Sequence, residues 1–137
     1  MEGVIASLVA GVPVMVGQFL VTMAVLVVGV LVYQSLTPVR EAEEIGNGNT
    51  AAALSFGAAV LGLAIPLAAC MANSVNALDI ALWGIVAVVL QLAVFFGLNL
   101  IFRDLSARIT RGELAPAIAM TATKLAVALI NAAAVSG

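Results

Sequence analysis

Read as apolar and polar positions, the chain is four long uncharged stretches joined by short polar ones. Between Glu2 and Arg40 lie 37 uncharged residues, between Glu44 and Asp79 another 34, and between Asp79 and Arg103 another 23. A further apolar stretch follows Glu113, interrupted by Lys124. Each is long enough for the roughly 20 residues that carry a helix across the hydrocarbon layer. The short alternating strands of a membrane barrel are absent, and backbone groups in lipid must bond within their own segment, so the pattern predicts helices. The predicted fold class is an all-α membrane protein of four transmembrane helices, treated as one integral membrane domain over residues 1–137.

The first predicted helix is Val12 to Gln34, with Pro13 in its first turn and Pro38 ending it by disfavouring helix at Thr37. Its surface is bulky from Val25 to Val32, Gln18 and Thr22 form a small polar face, and Tyr33 suits the membrane interface. A polar connection, Leu36 to Asn49, ends in Gly-Asn-Gly-Asn, whose last residue is suited to cap the second helix, Thr50 to Met71. No phosphate-binding loop is implied, because no lysine follows at the required spacing.

The second helix is rich in alanine. Ala53 with Gly57, and Ala58 with Gly62, are small residues four apart that let another backbone approach, and Pro66 is expected to bend its last third. After the turn Ala72 to Leu78 comes a bulky third helix, Asp79 to Phe102. Asn76 and Asp79 resemble a capping box at its start, with a proton carrier as the alternative role for Asp79. Trp83 suits the interface, and Gln91 lies near mid-depth. The connection Arg103 to Glu113 leads to the fourth helix, Leu114 to Val135, with Pro116 in its first turn. There Ala117, Thr121, Lys124, Ala128 and Asn131 share one narrow face. The small residues make the second and fourth helices the expected inner pair.

A shift of 64 residues superposes Gly48 on Gly112, Ala51 on Ala115, Ala53 on Ala117, Leu61 on Leu125 and Ala64 on Ala128. The chain therefore reads as a tandem repeat, about residues 12–71 and 79–135, each unit contributing two crossings. Such halves share one orientation, unlike the inverted repeats of many transporters.

Composition agrees with the pattern: 64% of the residues are hydrophobic and 9% charged, far below the charge a soluble surface carries. Four of the five basic residues lie in the two long connections. By the positive-inside rule these connections are cytoplasmic and both termini outside, which for a bacterial inner membrane means periplasmic. Glu2 stands where a cleavable signal has basic residues, so the first helix is expected to stay. No basic stripe with interleaved aromatics points to nucleic acid.

The candidate chemistry is sparse. With no histidine and one cysteine there is no metal cluster and no nucleophile paired with a base, and no catalytic residue or cofactor is expected. Cys70 reads as a small buried hydrophobe, with a cross-link between chains as the alternative. Lys124, about 15 Å into its helix, is the one charge expected near mid-membrane, and such a group is a functional hypothesis by default. Two readings of it stay open. In one it snorkels and bonds Gln91, Thr121 or a free carbonyl, since no carboxylate is expected at its depth. In the other, Thr121, Lys124, Asn131 and Gln91 line the path of a small oligomeric channel or carrier. A homo-oligomer is expected, with Lys124 and Asn131 facing a shared axis. The charged connections suggest a non-enzymatic module docking cytoplasmic proteins through Glu41, Glu43, Glu44, Arg103, Arg108 and Arg111.

Several local sequences together resemble one family: Gly48-Asn49-Thr50-Ala51-Ala52-Ala53-Leu54, Gly57, Leu61-Gly62, Ile65-Pro66-Leu67-Ala68, Asn73-Ser74-Val75, Asp79, Trp83-Gly84, Gln91-Leu92, Leu105-Ser106 and Asn131-Ala132-Ala133. They are similar to the bacterial integral-membrane proteins called domain of unknown function 350, over nearly the whole chain from the first helix onward. The resemblance implies an inner-membrane protein with tandem copies of a two-helix unit, in a setting of envelope stress or polyamine-related enzymes. The chain departs from that pattern at Gly112-Glu113, where the second copy usually keeps an asparagine, and at Lys124.

Overall fold

The computed structural model describes residues 1–37 and 40–136, and among these every regular element is an α-helix. They are α1 Glu2–Leu36, α2 Glu41–Gly46, α3 Thr50–Asn73, α4 Ala77–Ile101, α5 Arg103–Thr110 and α6 Leu114–Ser136. Four of them, α1, α3, α4 and α6, are long and apolar enough to cross a membrane.

Local chemistry sets the boundaries much as the sequence suggests. Asn49 accepts a hydrogen bond from the Ala52 N–H at 3.1 Å, capping α3, and Asn76 accepts one from the Asp79 N–H at 2.9 Å, capping α4. Thr37, at φ −83° and ψ 138°, is extended and closes α1. The role expected of Pro38 lies outside the described residues. Gly48 and Gly112 both sit at φ 84°, the left-handed region where a side chain is strained, and each lets the chain double back from a short helix into a long one. The backbone bonds match too: Asn49 N–H donates to Glu44 O at 2.9 Å, and Glu113 N–H to Arg108 O at 3.1 Å. The two turns, 64 residues apart, are thus built alike.

Three expectations are corrected. The first helix begins at Glu2 and not at Val12, with Pro13 inside it. Residues 3–11 are uncharged and mostly apolar, and helix bonding satisfies their backbone without water, so the proline does not end the run. The long connections each fold a short helix: α5 packs Ile109 under the bundle, whereas α2 buries Glu41 and leaves Ala42 and Ile45 exposed. The inner pair also differs. α3 packs against each of the other three spans, and its broadest contact is with α6. Yet α3 and α4 bury 44% and 39% of their most apolar stretches, against 22% for α6 and 6% for α1. Alanine brings α6 close to α3 but leaves its other side to lipid, whereas the bulkier α4 reaches three neighbours at once.

The core between α1, α3 and α4 is built from Tyr33, Ala59, Leu63, Leu67, Val88, Leu92 and Phe95. A second core, of Ala51, Ala52, Ile109, Ala117 and Met120, fastens α5 to α3 and α6. Of the expected packing residues, Ala58 and Gly62 are buried. Ala53 is exposed, and a Cβ added at Gly57 would meet nothing within 4 Å, so the packing role expected of that pair is corrected.

Candidate functional site

Lys124 stands ten residues into α6 yet is only 1% exposed. In a helix a long side chain leans toward the N-terminus, which carries its ammonium from mid-membrane toward the end where α2 and α5 lie. There it meets three acceptors: Tyr33 Oη at 2.8 Å, Ser55 Oγ at 2.9 Å and the Ser55 carbonyl at 3.2 Å. An ammonium has three N–H donors, so its capacity is filled by its own chain. Its charge also lies 5.0 Å from the centre of the Tyr33 ring and 5.6 Å from that of Phe95. The two rings meet edge to face at 5.7 Å. Aromatic faces of this kind attract a desolvated cation.

From Tyr33 the chain of bonds continues. Its hydroxyl donates to Glu41 Oε1 at 2.9 Å, and Glu41, the first residue of α2, is 3% exposed. The phenol therefore bridges a buried cation to a buried carboxyl. Burial holds the Glu41 carboxyl above the usual carboxylate range, against the pull of the Lys124 charge and of its hydrogen bond from Tyr33. Its Oε2 has no hydrogen-bond partner among the described residues. Chemically the chain can move one proton without separating charge: Lys124 Nζ passes a proton to Tyr33 Oη as Tyr33 passes its own to Glu41, leaving a neutral amine and a neutral acid.

Two turns further along α6, about 10 Å by helical rise, a second polar group crosses the bundle. Asn131 Nδ2 donates to Gln91 Oε1 at 3.0 Å and to the Ala87 carbonyl at 3.1 Å. Gln91 Nε2 and Asn131 Oδ1 are buried without partners among the described residues. Thr121 lies on the edge of this seam and donates to the Leu54 carbonyl at 3.3 Å. Lys124, Thr121, Asn131 and Gln91 are thus on inward-facing surfaces, but Lys124 bonds neither Gln91 nor Thr121.

Several expectations change at this site. The shared-axis arrangement is corrected, because Lys124 and Asn131, 1% and 4% exposed, point into their own chain. No carboxyl pairs with Lys124 directly among the described residues, but α2 folds inward so that Glu41 stands one hydrogen bond beyond it, across the Tyr33 hydroxyl, and Glu41 is thereby removed from the candidate docking residues. Tyr33 is not at an interface but 2% exposed in the core. Cys70 is free and buried, which leaves no thiol for a second chain. Ser55 escaped the sequence reading altogether, since one hydroxyl in an alanine-rich helix carries no periodic signal. Glu41 had one: it is the acidic residue closest in sequence to the end of the first apolar stretch, and a buried lysine needs a counter-charge.

The other charged candidates lie around the end of the bundle. Glu43, Arg103 and Arg111 are exposed, and Glu44 and Arg108 half-buried. Asn49 stitches the two connections together, its Nδ2 lying 3.2 Å from Glu44 Oε2, 3.0 Å from Ile109 O and 3.1 Å from Thr110 O. Arg108 and Arg111 both hold Glu113, each at 3.1 Å. The Arg108 hydrogen bond, followed by that of Arg111, keeps the Glu113 carboxyl below the usual range. The short helices and their turns thus form one charged cap. Among the described residues no cluster of three or more His, Cys, Asp or Glu is placed to hold a metal.

Comparison with known proteins places this geometry in context. Residues 7–135 match the family described as Domain of Unknown Function (DUF350). The chain is 36% identical over 115 residues to the UPF0719 inner membrane protein YjfL of Escherichia coli K12, covering 84% of this chain and 87% of the relative. The protein of the same name from Escherichia coli O157:H7 matches to the same extent. No solved structure gives a significant match.

Proposed function

From membership of the DUF350 family, to which this chain belongs, we propose a non-enzymatic integral membrane module whose working surface is the α2–α5 cap. The observation carrying this reading is the enclosure of Lys124. Its three donors are filled within the chain, and its bonds lead through Tyr33 to Glu41 on α2. The intramembrane charge thereby seats the cap and does not line a path, which is what the channel or carrier reading requires of it.

The cap supplies the chemistry of a docking platform. Glu43 and Glu44 give α2 an acidic edge, Arg103, Arg108 and Arg111 give α5 a basic one, and Asn49 fixes their spacing. Such paired charge favours a partner of matching polarity, and steers and orients it more than it adds affinity. The inner-membrane setting of the named relatives supports placing this surface at the cytoplasmic face, together with the Arg count of the two connections. A membrane-stress assembly is the kind of partner this reading favours.

A photo-crosslinking residue placed at Glu43, Asp104 or Arg111 in native membranes tests it. One discrete adduct is expected from these positions and none from Leu129 or Ile130, which face lipid, and reversing Glu43 and Glu44 to Lys is expected to remove it. Ion flux through liposomes that is abolished by Lys124→Leu overturns the docking reading in favour of a transport path.

A further inference from the structure

Away from Lys124, a cleft of about 440 Å³ opens between the ends of α1 and α4 and the start of α5. Its walls differ in character. Leu36, Phe96 and Leu100 line it and are exposed to lipid. Asn99, Ser106 and Arg103 are among its polar lining. Asn99 and Ser106 are only 8% and 6% exposed. Asn99 donates one of its two amide N–H groups to Thr37 Oγ1 at 3.3 Å, which leaves the other and the side-chain oxygen, and the Ser106 hydroxyl makes no hydrogen bond among the described residues. Arg103 has no ion pair among them either, unlike Arg40, Arg108 and Arg111. Asp104, its sequence neighbour, does not line the cleft.

We propose that this cleft binds one anionic phospholipid, with its phosphate on Arg103 and the Ser106 hydroxyl and the upper part of an acyl chain along Leu36, Phe96 and Leu100. The depth suits this ligand. The cleft lies where α4 ends and the charged α5 begins, at the level of headgroups, and basic pockets between spans on that side of a membrane take phosphate headgroups. Arg matches phosphate through parallel N–H donors, and a nearly buried hydroxyl adds a donor that water reaches poorly. A free phosphate satisfies the polar wall but leaves the apolar one without use, which separates the two sources. This site does not depend on the docking role of the cap.

The test is lipid retention by the purified full chain, read by native mass spectrometry with phosphatidylglycerol and phosphatidylcholine as probes. Phosphatidylglycerol is expected to be retained preferentially, and Arg103→Gln to weaken it about fivefold, the factor for one basic residue near a membrane surface. Leu100→Trp, which fills the apolar wall from an exposed position, is expected to lower retention of the same lipid while leaving melting unchanged. Arg40→Gln removes an equal charge outside the cleft and is expected to leave retention as it was. Equal retention of both lipids, or equal losses for Arg103→Gln and Arg40→Gln, overturns the proposal. So does displacement by low millimolar inorganic phosphate, which reassigns the site to the free anion.

Discussion

Lys124 Nζ lies 2.8 Å from Tyr33 Oη, and that bond ties the last long helix to the first across 91 residues of sequence. Beyond the phenol stands Glu41, so three side chains from three elements share one buried charge balance. Removing one charged member of such a group leaves the other desolvated and uncompensated, an effect of about 3–5 kcal/mol, whereas removing both is far less damaging. Lys124→Met is therefore expected to destabilise the bundle by several kcal/mol on that scale, and adding Glu41→Gln to recover a large part. Reversible unfolding of the two single variants and the double variant measures the coupling. Additive losses would show that Glu41 and Lys124 are independent.

Two carboxyls give stability opposite dependences on pH. Burial raises the Glu41 value in the folded protein, so folding binds its proton more tightly. That contribution is complete below the unfolded carboxylate range, roughly pH 4 to 5, and is lost as pH rises through the elevated value. Glu113 is the reverse: its value is lowered by Arg108 and Arg111, so its contribution holds above the unfolded range and is lost as pH falls through the depressed value. Melting profiles of Glu41→Gln and Glu113→Gln are expected to flatten on opposite sides of that range. Two superimposable profiles would refute both assignments.

Small residues on α3 looked alike in sequence but are not alike in space. A Cβ on Gly62 would stand 2.7 Å from Phe95 Cζ, whereas one on Gly57 meets nothing within 4 Å. Gly62→Ala is thus expected to lose about 1–3 kcal/mol through overpacking. Gly57→Ala is expected to be neutral or to gain up to about 1 kcal/mol from helix propensity. Thermal unfolding in one detergent ranks them, and a Gly57 variant as damaged as the Gly62 variant would contradict the packing.

The pattern of apolar stretches made the four spans legible, because helical crossings need length and the absence of charge, and both are linear properties of sequence. The caps were legible for a similar reason: Asn49 and Asn76 act on N–H groups three residues away. The site was legible only in Lys124, Gln91, Thr121 and Asn131, polar residues that stand out in an apolar helix. Its remaining members depend on tertiary placement. Tyr33 at the end of a span looks interfacial until α2 folds over it. Glu41 looks solvated until Tyr33 and Lys124 offer it a partner. Nor does spacing distinguish Gly57 from Gly62, since only the position of Phe95 on another helix separates them.

The distribution of charge predicts which side of the membrane the cap occupies. Arg40, Arg103, Arg108 and Arg111 all lie at the α2–α5 end, and no basic residue lies at the opposite end, where Asp79 and the α3–α4 turn sit. Retention of Arg-rich segments on the cytoplasmic side governs orientation when they flank spans closely, as these do. A reporter active only in the cytoplasm is expected to work when inserted in the α2–α3 turn at Asn47 and to stay silent when fused after Ser136. Neutralising all four arginines is expected to mix the two orientations, while neutralising Glu43 and Glu44 is expected to leave them unchanged, because acidic residues weigh little in this selection. A reporter bright after Ser136 in the native chain would invert the assignment and place the cap, with Glu41 and its unpartnered oxygen, in the periplasm.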